Sequence, residues 1–259
     1  MSTQTVSPHR RRSDPARWLA DVLRAQIEDG AVAPDAPLPS EHDLASQFGA
    51  SRNVVRDALD LLRCEGLVRR VPGAGTFVTV RRAVHGLDRL RGLAETFDEV
   101  PDRVVNRVLA AEVVPAPEHV AHRLEIEAGA SVVFIERLRS LDGRPLSLDA
   151  SYLPAEIASP LLGLVPDRES GLASCDVFAL LERTLGVELG MASLCIEAVG
   201  ADAATAQLLD VVPAAPLLLV TRLARLADGR PVDFEFVRYR GDRLSLTAWL
   251  SRHGEGVEG

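Results

Sequence analysis

The chain has 259 residues, of which 47% are hydrophobic and 25% charged, a balance that excludes a disordered protein and allows two separate cores. Its longest apolar runs, such as residues 214–220, are too short to span a bilayer, and no apolar stretch follows the N-terminal arginines, so neither a membrane segment nor export is expected. The net charge is −8, but residues 1–80 are neutral and the acidic excess lies in residues 81–259. The 3 cysteines lack metal-ligand spacing, which indicates reduced thiols in a cytoplasm.

Three helices are predicted within residues 14–64. The first begins after Asp14 and ends at Gly30, because an Asp N-cap followed by proline is a helix start. The second begins after Ser40 in a pattern that resembles a capping box, and a glycine turn separates it from a third helix capped by Ser51. The apolar positions predicted to face the core are Trp18, Leu19, Val22, Leu23, Ile27, Leu44, Ala45, Phe48, Val55, Leu59 and Leu62.

The apolar stripe of the third helix determines which of its side chains face outward. The outward set near the helix N-terminus is Ser51, Arg52, Asn53 and Arg56. Arginine binds guanine O6 and N7 with two hydrogen bonds, and the Ser51 hydroxyl at a helix N-terminus suits a phosphate. The alternative is that Arg52 and Arg56 are ordinary solvated helix charges.

Two short strands follow the third helix. Residues 67–71 and 76–79 are strand-like, and residues 72–75 form a glycine-rich tip that is able to approach a nucleic-acid backbone closely. Three helices followed by such a hairpin predict a winged helix-turn-helix over residues 14–80, a module that places its third helix in the DNA major groove.

Residues 88–250, beyond a linker at 81–87, contain an internal repeat. Residues 131–153 align without a gap onto residues 217–239 at an offset of 86, and each copy is a strand, an Asp-Gly-Arg-Pro turn and an alternating strand, preceded by a helix. The duplication predicts an α+β domain with one antiparallel sheet and helices on one side. The repeat also pairs polar residues. Arg139 corresponds to Arg225 and Asp149 to Glu235, which indicates either surface strand charges or a cleft shared by the two halves.

Residues 15–79 resemble the DNA-binding half of the GntR family of bacterial repressors. The resemblance rests on the segment LPSEHDLASQFGASRNVVRDALDLLRCEGLVRRVPGAGTFVT. It implies DNA contacts from Ser51, Arg52, Asn53, Arg56 and the wing glycine Gly73. The family usually has arginine in its LPSER motif, where this chain has His42, so the resemblance assigns that contact to His42.

Residues 88–250 are similar to the UTRA effector domain of the HutC subfamily, on the segments IERLRSLDGRPL, SYLP and YRGDR. That domain resembles chorismate lyase in fold and binds a small metabolite instead of catalysing a reaction. The resemblance implies a pocket bordered by a loop at residues 90–97. Its side chains would be Arg137, Arg139, Asp149, Asp176 and Glu235. Members that bind phosphosugars have Ser and Tyr where this chain has Asp176 and Phe178, which favours a carboxylate, an amine or a polyol over a phosphate.

The sequence therefore predicts a cytoplasmic, metabolite-responsive transcriptional regulator, most simply a homodimeric repressor of a palindromic operator. Residues 1–13 and 251–259 are predicted tails. We expect no cofactor, no catalytic residue and no metal site, because His119 and His122 on a predicted helix lack further ligands at useful spacing. Two alternatives are a chorismate-lyase-like enzyme fused to a DNA-binding module, and a ligand-free architectural DNA-binding protein.

Overall fold

The computed structural model describes residues 14–79, 82–97, 103–165 and 171–252. The chain divides into two compact units between Ala83 and Val84. The predicted tail at residues 1–13 and most of the one at 251–259 lie outside the described residues. None of the helices in the described ranges combines the length and the apolar character needed to cross a membrane.

The first unit is a three-helix domain followed by a two-stranded antiparallel hairpin. Its elements are α1 (Pro15–Glu28), α2 (Glu41–Phe48), α3 (Arg52–Cys64), β1 (Val68–Val71) and β2 (Gly75–Val78). Each helix begins as predicted, because the side chains of Asp14, Ser40 and Ser51 accept a hydrogen bond from the main-chain N–H three residues on. Gly49 ends α2 at a φ of 61°, a left-handed conformation that costs glycine little.

The core of the first unit lies between the helices and the base of the hairpin. Leu19, Leu44, Val55 and Leu62 are fully buried, and the Trp18 ring meets the Phe48 ring edge-on. The predicted stripe of α3 is confirmed and includes Ala58 as well. Because this stripe fixes the rotation of α3 about its axis, the opposite side of the helix faces solvent.

The second unit is built on a six-stranded antiparallel sheet of order β4-β5-β6-β9-β8-β7. Its strands are β4 (Val104–Pro115), β5 (Ser131–Leu141), β6 (Arg144–Pro154), β7 (Leu189–Gly200), β8 (Pro216–Leu226) and β9 (Pro231–Arg240). A small separate sheet pairs β3 (Ala83–Gly86) with β10 (Leu244–Thr247). The helices are α4 (Leu93–Thr96), α5 (Glu118–Leu124), α6 (Ala155–Ala158), α7 (Val177–Leu185) and α8 (Ala203–Leu209), with a 3-10 helix at Ser159–Leu164.

The internal repeat appears as an approximate two-fold axis at the centre of this sheet. The two halves, β4-α5-β5-β6 and β7-α8-β8-β9, meet where β6 pairs with β9. Ala150 lies opposite Phe236, and these residues are 86 positions apart, the offset of the sequence repeat. The axis therefore passes between two equivalent residues, which places the two copies of the alternating strand side by side.

The two hairpins of the repeat differ by one residue in register although their turn sequences are the same. In the first, Asp142 and Gly143 both have positive φ and form a two-residue turn, so Arg137 lies opposite Asp149. In the second, only Gly229 has positive φ, the turn is one residue longer, and Arg222 lies opposite Glu235.

Both faces of the six-stranded sheet are covered, so the prediction of helices on one side is wrong. The repeated helices lie on one face, where α5 packs against Phe234 and α8 against Leu148. The opposite face, called the inner face below, lies beneath α6, the 3-10 helix and α7, which bury Ile135 and Leu153. Residues 155–164 and 177–185 supply this cover. They fall between the two copies and have no counterpart in the repeat, so the repeat gave no indication of where they pack.

Candidate DNA-binding and effector-binding sites

The N-terminus of α3 presents the four predicted DNA-binding residues together. Ser51 accepts a hydrogen bond from Val54 N at 3.3 Å, which leaves the other main-chain N–H groups of the first turn free for an anion. Arg52, Asn53 and Arg56 are exposed on the side opposite the buried stripe. This surface therefore offers hydrogen-bond donors and positive charge at one helix end.

Charge pairing sets Arg52 and Arg56 apart from other arginines of this unit. Salt bridges join Arg63 to Asp60 at 3.2 Å, Arg69 to Asp35 at 3.0 Å and Arg70 to Glu41 at 2.9 Å. Among the described residues, Arg52 and Arg56 have no acidic partner within salt-bridge distance. Their guanidinium groups remain available for phosphates or base edges.

The remaining two predicted DNA-binding positions lie on neighbouring elements. Gly73 forms the hairpin tip at a φ of 76°, a conformation that disfavours any side chain, and the space around it is open. His42 is exposed in the first turn of α2. Both positions are accessible to a ligand as large as DNA.

Polar side chains of the inner face form one buried group, called the inner-face cluster. Its members are Arg137, Arg139, Ser147, Asp149, Ser151, Asp176, Arg222, Asp233 and Glu235. Strands β5, β6, β8 and β9 contribute all of them except Asp176, which precedes α7. Buried charges are stable only when they are paired or hydrogen-bonded, so the pairing of each member determines what the cluster can bind.

Arg139 is the centre of a fully bonded network. Its Nε donates to Asn106 Oδ1 at 2.9 Å, its Nη1 to Asp149 Oδ2 at 3.2 Å, and its Nη2 to Asp176 Oδ1. Ser147 Oγ donates to Asp149 Oδ1 at 2.7 Å. Burial alone would lower the pKa of Arg139, but Asp176 and Asp149 raise it above its ordinary value.

Arg137 lies at the edge of that network. Its Nη1 donates to the carbonyl oxygen of Cys175 at 3.0 Å, and its Nη2 lies 3.9 Å from Asp149 Oδ2. Burial and the neighbouring Arg139 lower the pKa of Arg137 below its ordinary value. Its charge is therefore less well compensated than that of Arg139.

Asp176 connects the cluster to the segment around α4. Its Oδ2 accepts a hydrogen bond from Glu95 N at 2.9 Å, and Gly92 lies so close that a Cβ there would overlap the carboxylate. Burial would raise the pKa of Asp176, but Arg139, the Glu95 amide and Arg137 hold it below its usual range. The loop predicted at residues 90–97 thus contacts the cluster through Asp176.

Glu235 belongs to a second pair, formed with Arg222, and the Phe178 ring lies 4.5 Å from the Arg222 guanidinium carbon. His85, from β3, is buried with its Nδ1 2.8 Å from Thr96 Oγ1. Burial, Arg222 and Arg139 lower the pKa of His85 to about 4, so this ring is neutral at physiological pH.

The structure brings Arg137, Arg139, Asp149 and Asp176 into one network and places Glu235 on the same face in a separate pair. It does not place Arg225, the repeat counterpart of Arg139, in the cluster. Arg225 bonds Glu125 at 2.7 Å on the protein surface, because the one-residue register difference turns it away from the inner face.

Sequence reasoning missed several members of the site. They are Ser147, Ser151, Arg222 and Asp233, together with Asn106, which bonds Arg139. Strand alternation could have identified three of them, because Ser147 and Ser151 lie two positions on either side of Asp149, and Asp233 precedes Glu235 by two positions. Arg222 carried no such signal, since its inward position depends on the turn length. His119, weighed as a metal ligand, packs its ring edge against Phe234.

Comparison with protein families identifies both units. The profile described as "Bacterial regulatory proteins, gntR family" matches residues 15–78, and the UTRA domain profile matches residues 101–245. The chain is 30% identical over 234 residues to the HTH-type transcriptional repressor NagR of Bacillus subtilis, covering 90% of this chain and 93% of that protein. It is 25% identical to the mannosyl-D-glycerate transport/metabolism system repressor MngR of Escherichia coli, covering 91% and 95%.

A solved structure agrees with these relationships. PhnF of Mycobacterium smegmatis matches with a TM-score of 0.60 and 25% identity, over 90% of this chain and 99% of that one. The domain profiles, the relatives and the fold agree along the chain. The chain therefore belongs to the GntR family of bacterial regulatory proteins, of the type with a UTRA domain, and is a metabolite-responsive DNA-binding transcriptional regulator and not an enzyme.

Proposed function

We propose that this regulator is a homodimeric cytoplasmic repressor that leaves a palindromic operator when a polar metabolite binds its inner-face cluster. The exposed end of α3 carries the DNA-binding part of the proposal, because no acidic residue of the described ranges forms a salt bridge with Arg52 or Arg56 beside the capped helix N-terminus. A two-fold related pair of such helices would read half-sites about one helical turn apart. Two relatives, NagR and MngR, are repressors by name.

Within this proposal, Arg52, Arg56 and Asn53 contact base edges, while Ser51, His42 and the Gly73 tip contact the DNA backbone. Guanidinium groups suit guanine and an amide suits adenine, whereas a hydroxyl, an imidazole and an open main chain suit phosphates.

The effector part of the proposal rests on eight buried polar side chains and the partly buried Arg222, which lie together at the inner face of the sheet. The effector would contact the cluster members assigned from sequence, which are Arg137, Arg139, Asp149, Asp176 and Glu235. It would shift the dimer away from the DNA-binding arrangement only by the difference in its affinity for the two arrangements.

The DNA-binding test uses Arg52→Ala with Arg63→Ala as its matched control. Both positions lie on α3, but Arg63 is paired with Asp60 at the far end of the helix. An operator is first selected from a random DNA library. Arg52→Ala is then expected to lose about 5- to 150-fold in operator affinity, with relaxed base preference at one position, while Arg63→Ala stays near wild type. Equal losses in the two variants would contradict the assigned role of Arg52.

The effector test uses Asp149→Asn, which removes one charge at the centre of the cluster and keeps the side chain's shape. A thermal-shift screen of metabolites, followed by operator release with each hit, identifies the effector. Asp149→Asn is expected to bind the operator as wild type does but to release it poorly. Unchanged release by the same metabolite would show that the effector binds elsewhere.

A further inference from the structure

Two buried polar side chains of the inner-face cluster have no partner. Asp233 and Ser151 are each 1% exposed, and within the described part of the chain neither Asp233 oxygen nor Ser151 Oγ completes a hydrogen bond. A buried acceptor without a partner destabilises the folded state, so such groups are uncommon in native proteins. The two carboxylate oxygens of Asp233 and the hydroxyl oxygen of Ser151 are three such atoms in one place, which indicates a site that another molecule completes.

Strand pairing explains why no described residue completes a hydrogen bond to Asp233. Glu235, two residues away on the same face of β9, lies opposite Arg222 and pairs with it. Asp233 lies opposite Ala224, whose methyl group has no donor to offer. The Ser151 hydroxyl approaches from β6 and lowers the pKa of Asp233, yet the two side chains do not meet in hydrogen-bond geometry.

The charges around Asp233 determine what sign of ligand the site accepts. In the rest of the cluster, three arginines face three carboxylates: Arg137, Arg139 and Arg222 against Asp149, Asp176 and Glu235. Burial, followed by the charge of Glu235, raises the pKa of Asp233 well above its usual range. The three arginine charges thus balance the three other carboxylates, and within the described residues Asp233 is the acid of the cluster that forms no salt bridge. An incoming cation can be compensated when Asp233 ionises, whereas an added anion would lack a free counter-charge there.

We propose that Asp233 and Ser151 form an amine subsite, and that the effector of this regulator carries a protonated primary amine. An ammonium group has three N–H donors, which match the two carboxylate oxygens of Asp233 and the hydroxyl oxygen of Ser151. The inference deepens the proposed function, because it names the chemical class of the ligand for the same face of the sheet.

Because burial and Glu235 raise the pKa of Asp233, an ammonium bound to it is expected to shift this acid towards its ionised form. Affinity is therefore expected to fall about tenfold for each pH unit below the raised pKa of Asp233. The charged groups facing Asp233 are Glu235 on β9, Arg222 on β8 and Arg137 on β5. His85, which is neutral at physiological pH, does not add a competing titration there.

The experiment uses ethanolamine and ethylene glycol, which differ only in an amine replaced by a hydroxyl. Each is titrated into the full chain without DNA, at equal ionic strength, and binding is followed by isothermal calorimetry in buffers of different ionisation enthalpy. Ethanolamine is expected to bind at least tenfold more tightly and to release protons on binding, as Asp233 ionises. Equal binding of the two probes, tighter binding of ethylene glycol, or no binding of either would overturn the amine subsite.

Asp233→Asn and Ser151→Ala test the residues, with Asp228→Asn as the control. The Asn variant preserves the shape of the Asp233 side chain and removes its ability to ionise, whereas Asp228 is exposed and paired with Arg230. Ethanolamine binding is expected to disappear in Asp233→Asn, to weaken several-fold in Ser151→Ala and to persist in Asp228→Asn. Persistent binding in Asp233→Asn would overturn the assignment.

The outcome for the proposed function is measured separately, by operator release. A metabolite without an amine that releases the operator equally from wild type and Asp233→Asn would overturn the amine subsite and leave the repressor proposal standing. Failure of every metabolite to release the operator, together with tight binding of ethanolamine at Asp233, would overturn the proposed release by an effector and leave the amine subsite standing.

Discussion

Replacing Arg139 with leucine tests whether the buried ion network holds the second unit together. The substitution removes the donor that bonds Asn106, Asp149 and Asp176, and the two carboxylates it leaves are 1% and 2% exposed as side chains. Breaking a buried pair by removing one partner costs about 3–5 kcal/mol, because the remaining charge stays buried. We expect Arg139→Leu to lose stability in that range at about pH 7.

The repeat supplies a matched control for this prediction. Arg225 occupies the equivalent sequence position, but it pairs with Glu125 at the surface, where an ion pair contributes about 0–1 kcal/mol. Arg225→Leu is therefore expected to change the free energy of unfolding by less than about 1 kcal/mol. Urea unfolding of both variants, combined with hydrogen–deuterium exchange of peptides from β5 and β6, assigns the loss to the sheet.

The stabilities of the wild type and of Arg139→Leu are expected to change with pH in opposite directions. In the wild type, the pKa of Asp176 lies below its unfolded value, so its contribution is present at neutral pH and is lost only as pH falls through the folded pKa. Without Arg139 the buried carboxyl has its main counter-charge removed, and its folded pKa rises above the unfolded value. Folded Arg139→Leu then binds more protons than the unfolded chain, so its stability increases as pH falls from about 7 to about 5.

The difference between wild type and Arg139→Leu is thus expected to narrow on acidification. Adding Asp176→Asn to Arg139→Leu should recover about 0.5–3 kcal/mol, the usual coupling energy of residues in one network. A difference that is independent of pH, combined with full additivity of the two substitutions, would refute the reasoning.

Three further predictions concern the N-cap of α3, the left-handed glycine at the hairpin tip, and the close contact between Gly92 and Asp176. Ser51→Ala removes the N-cap of α3 and should destabilise the first unit by about 0.5–2 kcal/mol in urea unfolding, whereas an unchanged midpoint would mean that the cap is dispensable. Gly73→Ala places a side chain at a φ of 76° and should cost about 1 kcal/mol and weaken operator binding, measured by fluorescence anisotropy; wild-type values in both assays would contradict this. Gly92→Ala should displace α4 from Asp176 and speed amide exchange in residues 92–97, while Gly86→Ala, whose Cβ would lie 3.7 Å from Asp88 Oδ2, should leave that exchange unchanged.

The first unit was largely predictable because its signals are local. The caps at Asp14, Ser40 and Ser51 and the glycine turns act over three or four residues, so the helix bounds follow from the sequence. The buried stripe of α3 then fixes which side faces outward, and the exposure of Arg52 follows from helical periodicity alone.

The inner face was only partly predictable because its contacts are long-range. The internal repeat and the alternation of the strands indicated Asp149 and Glu235. The pairing partners of these residues depend on strand register, which the alignment of the two repeat copies does not reveal. The contact between Asp176 and Glu95 joins segments 81 residues apart, and neither lies in the repeat. No local pattern predicts such a contact.

The unequal turns also bear on how a duplicated domain diverges. Two copies that begin identical present the same side chains twice, which suits a symmetric ligand. A turn one residue longer, as at Gly229, exchanges the faces of a neighbouring strand in one step, so that Arg222 points inward and Arg225 outward. Lengthening or shortening a hairpin loop is thus a route by which a gene duplication can acquire selectivity for an asymmetric molecule. When residues are exchanged between the two halves by engineering, equivalent positions should be chosen by strand pairing and not by sequence alignment.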